Sequence, residues 1–165
     1  RDSLPFITEY NFDPDWRINQ FVRGTLRLQG WTEAWSDVFK EIESLSFPEG
    51  DARLQEMSNN FWKENAYEAA EPDRVVLCVS LKAEKNNKTL YHKTFVLDAW
   101  GTNESTAMAR LVSIPVAKAV EIIKTGEIKP GVSSVPDSSK LVGQWIEMVD
   151  SLCQHLEIID HLKEK

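Results

Sequence analysis

Arg74-Val75-Val76-Leu77-Cys78-Val79-Ser80-Leu81-Lys82-Ala83 and, after a polar break, Thr89-Leu90-Tyr91-His92-Lys93-Thr94-Phe95-Val96-Leu97-Asp98-Ala99 decide the fold class of this chain. Both runs are rich in β-branched and large apolar residues and have the length of a strand. Glu84-Lys85-Asn86-Asn87-Lys88 between them is polar and carries two asparagines, the composition of a turn. Two such runs joined by five residues predict an antiparallel hairpin.

Downstream of the hairpin, Trp100-Gly101 turns the chain and residues 104–125 read as a long helix. Ser105 or Thr106 can cap it, and Met108, Leu111, Val112, Val116, Ala119, Val120 and Ile123 form an apolar stripe. Gly126 stands just past its end. Pro115 lies inside and predicts a kink or a fresh helix start, because proline removes one ladder donor. Residues 127–136 read as a loop around Pro130-Gly131 and Val135-Pro136. Residues 137–160 read as a last helix, with a short strand at 156–160 as the alternative.

Upstream, residues 51–70 predict a helix through Leu54, Met57, Phe61 and Trp62. Residues 32–46 predict another, capped by Thr32 and broken by Phe47-Pro48-Glu49-Gly50. In residues 17–28 Ile18, Val22, Leu26 and Leu28 share one parity while Arg23, Thr25 and Arg27 share the other. That alternation predicts a half-buried strand, with Gly24 as a bulge or a point of close backbone approach. Residues 4–11 predict a short helix or turn followed by an extended connection. Segregated strands and helices argue an α+β domain, with a mixed or antiparallel sheet and helices packed on one face. The whole of 1–165 reads as a single domain.

Composition narrows the function. The chain has 165 residues, 19 Lys and Arg against 26 Asp and Glu, and a net charge of −7. An acidic chain is a poor partner for nucleic acid or an anionic membrane. No apolar run approaches the roughly 18 residues of a membrane span. Cys78 and Cys153 lie in apolar stretches and read as reduced core thiols of a cytoplasmic protein. The seven glycines form no GxG, so no dinucleotide-binding turn can be written. The chain opens Arg1-Asp2-Ser3, without an initiator Met, and reads as part of a longer polypeptide.

Few residues offer chemistry. His155 and His161 are six apart, which is not the one-face spacing of a helical metal pair. His92 sits inside a strand. No GxSxG elbow exists and no basic residue flanks either cysteine, so no catalytic residue is assigned. The six tryptophans read as core or interface packing. Arg23-Gly24-Thr25-Leu26-Arg27 is the most informative segment. Guanidinium groups grip carboxylates bidentately, and a glycine beside them lets a ligand approach the backbone. The bland reading is a solvated face. A second segment, Asp98-Ala99-Trp100-Gly101 leading to Ser105-Thr106, offers a helix start that is either an anion site or plainly capped.

These segments carry a resemblance. Arg1-Asp2-Ser3-Leu4-Pro5-Phe6, the Arg23–Arg27 stretch followed by Gly30, Ser105-Thr106-Ala107-Met108-Ala109-Arg110 running on to Pro115-Val116-Ala117, and Gly126-Glu127-Ile128-Lys129-Pro130-Gly131 appear in order. Together they resemble the second domain of saccharopine dehydrogenases of the glutamate-forming, saccharopine-reductase type. Leu28 stands where that family has Tyr, and Ser113 where it has Gly. The resemblance implies an α+β domain similar to the second domain of glyceraldehyde-3-phosphate dehydrogenase. It implies substrate binding and homodimerisation, with NAD or NADP held by a Rossmann domain outside this chain. Arg1, Arg23, Gly24, Thr25, Leu26 and Arg27 are then the expected contacts to an amino-acid substrate. The implied reaction is hydride transfer between nicotinamide and a C–N carbon. Saccharopine, lysine and a carboxynorspermidine-type compound remain open as substrates. The rival reading is a stand-alone protein-interaction module without catalysis.

Overall fold

The computed structural model describes residues 4–10, 12–128, 130–132 and 138–163. In chain order the elements are α1 (Leu4–Glu9), α2 (Trp31–Ala34), α3 (Ser36–Ser44), α4 (Glu49–Asn65), β1 (Arg74–Lys85), β2 (Lys88–Trp100), α5 (Ala107–Thr125), α6 (Ser139–Leu152) and β3 (His155–Asp160). The fold is α+β, and the described residues hold one three-stranded antiparallel sheet of order β1-β2-β3. The chain divides into two compact units, residues 1–24 with 72–165, and residues 25–71.

In the larger unit the expected hairpin forms, and it is longer than expected. The turn shrinks to Asn86-Asn87, with φ of 50° and 58°. Asparagine tolerates this left-handed region, and two such residues in a row twist the turn in the sense the strands require. β1 pairs β2 with Val75 opposite Ala99, Leu77 opposite Leu97 and Val79 opposite Phe95. β3 adds Leu156 opposite Leu97 and Ile158 opposite Phe95. The odd-numbered residues of β1 and β2 therefore share the apolar face. Leu97, Ala99 and Ala107 are its buried centre, with Val75, Leu111, Val149, Cys153 and Leu156 packed around them.

α5 is one helix through Pro115, so of the two expectations there the new start is not what forms. Gly126 ends it at φ 74°, the left-handed stop that glycine adopts without a Cβ clash. Residues 137–160 resolve into both alternatives, α6 and then β3. The break follows Leu152, where Cys153 turns extended.

Residues 17–28 are a correction. They form no strand, so Gly24 marks no bulge. Alternation alone makes no strand: backbone N–H and C=O groups need a neighbouring ladder, and the described sheet ends at β1 and β3. Cys78 is a second correction, since it is exposed and not a core thiol. Its even number puts it on the face opposite Leu77 and Val79. Both cysteines are free.

In the smaller unit the helix expected at 32–46 is two helices parted at Trp35. Its start is Gly30, at φ 82°, and not Thr32. α4 begins at Glu49, so Gly50 lies inside a helix where a break was expected. It is buried, and a Cβ there would stand 3.0 Å from that of Leu45. Trp31, Trp35, Phe39 and Phe61 form a ring ladder, and Arg53 of α4 reaches Glu41 of α3 at 2.5 Å.

Candidate functional site

Two places are candidates, and the first, in the larger unit, is the junction from β2 into α5. Asp73, just before β1, accepts from the N–H of Ala107 (2.7 Å) and of Met108 (2.9 Å). Its own carbonyl accepts from Gly101 N–H at 2.7 Å. Thr106 adds its hydroxyl as acceptor for Ala109 N–H at 3.0 Å. Three of the donors that a helix leaves unsatisfied at its start are thus taken by side chains. That settles the open reading of this helix start: it is capped, with a carboxylate seated where an external anion would bind. A side chain at 101 would run into that carboxylate, so glycine is required there for space.

Arg110 closes the same turn from above. It donates to the Trp100 carbonyl (2.7 Å), the Ser105 carbonyl (3.1 Å) and the Ser105 hydroxyl (3.2 Å). Gln154 pairs with both backbone groups of Trp100, accepting from its N–H at 2.8 Å and donating to its carbonyl at 3.2 Å. Arg74 grips Asp98 through two bonds of 2.8 and 2.7 Å and lies 4.8 Å from the Trp100 ring centre. The Arg74 guanidinium holds the Asp98 carboxyl below the usual carboxylate range.

The N–H donors of α5, Met108 foremost, likewise hold the Asp73 carboxyl below its ordinary range, against the opposing effect of partial burial. A carboxylate with a depressed folded pKa stabilises above its unfolded pKa of about 3.9, and that contribution disappears as pH falls through the folded value. Asp73→Asn is therefore expected to lower Tm by several degrees at pH 7. The gap from wild type should close as pH falls from about 4 toward the folded pKa. Thermal melts at both pH values check it, and a gap constant with pH counts against the cap.

The second place is the expected substrate segment. Arg23 lies 3.5 Å over the Phe6 ring, within an aromatic cluster that includes Tyr10, Phe12 and Phe21. Gly24 has open space where a Cβ would stand. In the smaller unit Leu26 is exposed, and Arg27 lies 5.2 Å from the Trp31 ring centre and donates to the Leu26 carbonyl at 3.1 Å. Among the described residues no carboxylate pairs with Arg27. Thr25 is exposed beside it. Arg1 lies outside the described residues.

The histidines form a contact that sequence spacing did not reveal. His92 and His161 stack at 4.1 Å, and the Thr94 hydroxyl lies 2.9 Å from His161 Nε2. Among the described residues no group of three or more metal-capable side chains gathers, and no helix is long and apolar enough to cross a membrane.

A small antiparallel sheet with helices on one face, a capped strand-to-helix junction and an arginine-bearing segment define an α+β domain. The family model of the saccharopine dehydrogenase C-terminal domain matches residues 1–152. The chain belongs to that family, and so to a class of oxidoreductase domains. No curated protein and no solved structure matches it.

Proposed function

We propose that this chain is the substrate-binding and dimerisation domain of an NAD(P)-dependent oxidoreductase acting on the C–N bond of an amino-acid substrate. The observation that carries the reading is Arg27. Its guanidinium is propped by the Trp31 ring and meets no carboxylate among the described residues, in a chain of net charge −7. A planar cation held this way suits a substrate carboxylate. Arg23, Gly24, Thr25 and Leu26 complete the segment, and Arg1 joins it by the family motif.

The residues described here do not fit a nicotinamide dinucleotide. The sheet is wholly antiparallel, no GxG turn exists, and the start of α5 holds the Asp73 carboxylate, which repels a pyrophosphate. NAD or NADP is therefore held by another domain of a cytoplasmic enzyme. Dimerisation uses the open part of the sheet's apolar face, where Leu77, Val79, Leu81 and Ile158 stay exposed beside the helices, or the exposed α5 stripe of Met108, Val112, Val116 and Val120.

Titrated with NADPH, the 165-residue chain is expected to produce no saturable change in nicotinamide fluorescence. Saturation at micromolar concentration overturns the reading.

A further inference from the structure

The charge of this protein is unevenly placed. Residues 25–71 hold four Lys and Arg against ten Asp and Glu, a net −6 of the chain's −7. Within that unit α3 and α4 enclose an open groove of about 470 Å³, lined by Trp35, Ile42, Leu54, Phe61 and Trp62 with Met57 among them. Trp62 is 76% exposed, while Gly50 and Met57 are the residues of these two helices that are buried. Two helices alone cannot cover both of their apolar stripes, and a third helix laid between them completes a bundle.

Among the described residues no acid lines the groove itself, but helical spacing sets several beside its lining residues. Glu43 adjoins the lining residue Ile42 at the end of α3. Glu64 is three residues past Phe61, and Asp51 is three before Leu54. Residues three or four apart lie on the same side of a helix. None of the three has an ion pair among the described residues, whereas Arg53 is taken by Glu41 and Glu56, and Lys40 by Asp37. A second copy of this unit would bring six negative charges against six. An anionic membrane surface would be repelled for the same reason.

We infer that the α3–α4 groove is the docking site for a basic amphipathic helix of a partner protein. Its apolar anchors at helical spacing enter between Leu54 and Trp62, and its Lys and Arg flanks meet Glu43, Asp51 and Glu64. Apolar burial supplies the affinity, and the acidic rim selects the sign of the partner.

The test is calorimetric titration of the full 165-residue chain with a synthetic amphipathic Leu/Lys peptide matched to the 17 residues of α4, about 25 Å. Controls are a Leu/Lys peptide of identical composition with its periodicity scrambled, and a Leu/Glu peptide. The expected result is micromolar binding of the first peptide, at least about tenfold weaker binding of the scrambled one, and none of the Leu/Glu peptide. Trp62→Ala should weaken binding about tenfold or more, as should Glu43→Lys with Glu64→Lys. All three positions are exposed, so the variants should keep the wild-type circular dichroism. Absence of binding overturns the inference. Equal binding of the scrambled peptide does so as well, since it means charge attraction alone, and so does binding indifferent to Trp62.

Discussion

Leu97→Ala is expected to destabilise the chain by about 2–5 kcal/mol, the usual loss when a buried leucine is truncated and its cavity stays open. Leu97 is 3% exposed on the central strand, with Leu77 on one side and Leu156 on the other. Ala99 and Ala107 share its cluster, and Leu111, Val149 and Cys153 pack around it from α5 and the α6 end of the chain. No neighbour can slide in, because the strands fix both flanks and the capped junction fixes the start of α5. A domain of this kind is stable by about 5–15 kcal/mol, so the loss is a large share of the total. Leu81, on the same face but half-exposed at the far end of β1, supplies the contrast. Leu81→Ala should cost under about 1 kcal/mol. Urea unfolding of both variants, with the slope checked for constancy, reads the difference. A cost below about 1 kcal/mol for Leu97→Ala would mean that the helices do not pack where the structure puts them.

How far the sequence foretold this depends on the kind of signal each residue gives. The hairpin was legible because alternation, strand length and two asparagines agree, and Asn86-Asn87 gives the turn without help from elsewhere. Parity also held information left unused: with Leu77 and Val79 inward, Cys78 must face outward. Thr106 and Gly126 announced the ends of α5 because caps are local. Asp73 was invisible as a cap. It lies 34 residues before Ala107, and nothing near either position signals the meeting. The same holds for His92 and His161, brought together by β2–β3 pairing. Residues 17–28 mislead for the opposite reason. Their local period is that of a strand, but pairing is a non-local property. For the candidate site, the arginine segment was legible as chemistry, whereas the ring beneath each guanidinium was not. Phe6 is 17 positions from Arg23, and only the fold brings it under the charge.

Arg27 carries the central claim, and the enzyme proposed above is where it is tested. If the guanidinium binds the substrate carboxylate, removing it leaves a charged group without its bidentate partner, a loss that typically costs 2–5 kcal/mol or roughly 30-fold and upward in affinity. Arg27→Ala should therefore lower kcat/KM for the amino-acid substrate by about 100-fold. Arg27→Lys keeps the charge but loses the planar fork, and should recover only part of the activity. The fold should survive both, since Arg27 is exposed and its contact with Trp31 is worth on the order of 0.5–1 kcal/mol. The KM for nicotinamide should not move if, as proposed, another domain holds that cofactor. The deciding measurement is steady-state kinetics of wild type and Arg27→Ala with saccharopine, lysine and carboxynorspermidine, varying amino acid and nicotinamide separately. The account predicts turnover of one of the three, with loss confined to the amino-acid terms. Turnover of none, or a loss that falls on nicotinamide instead, would contradict it.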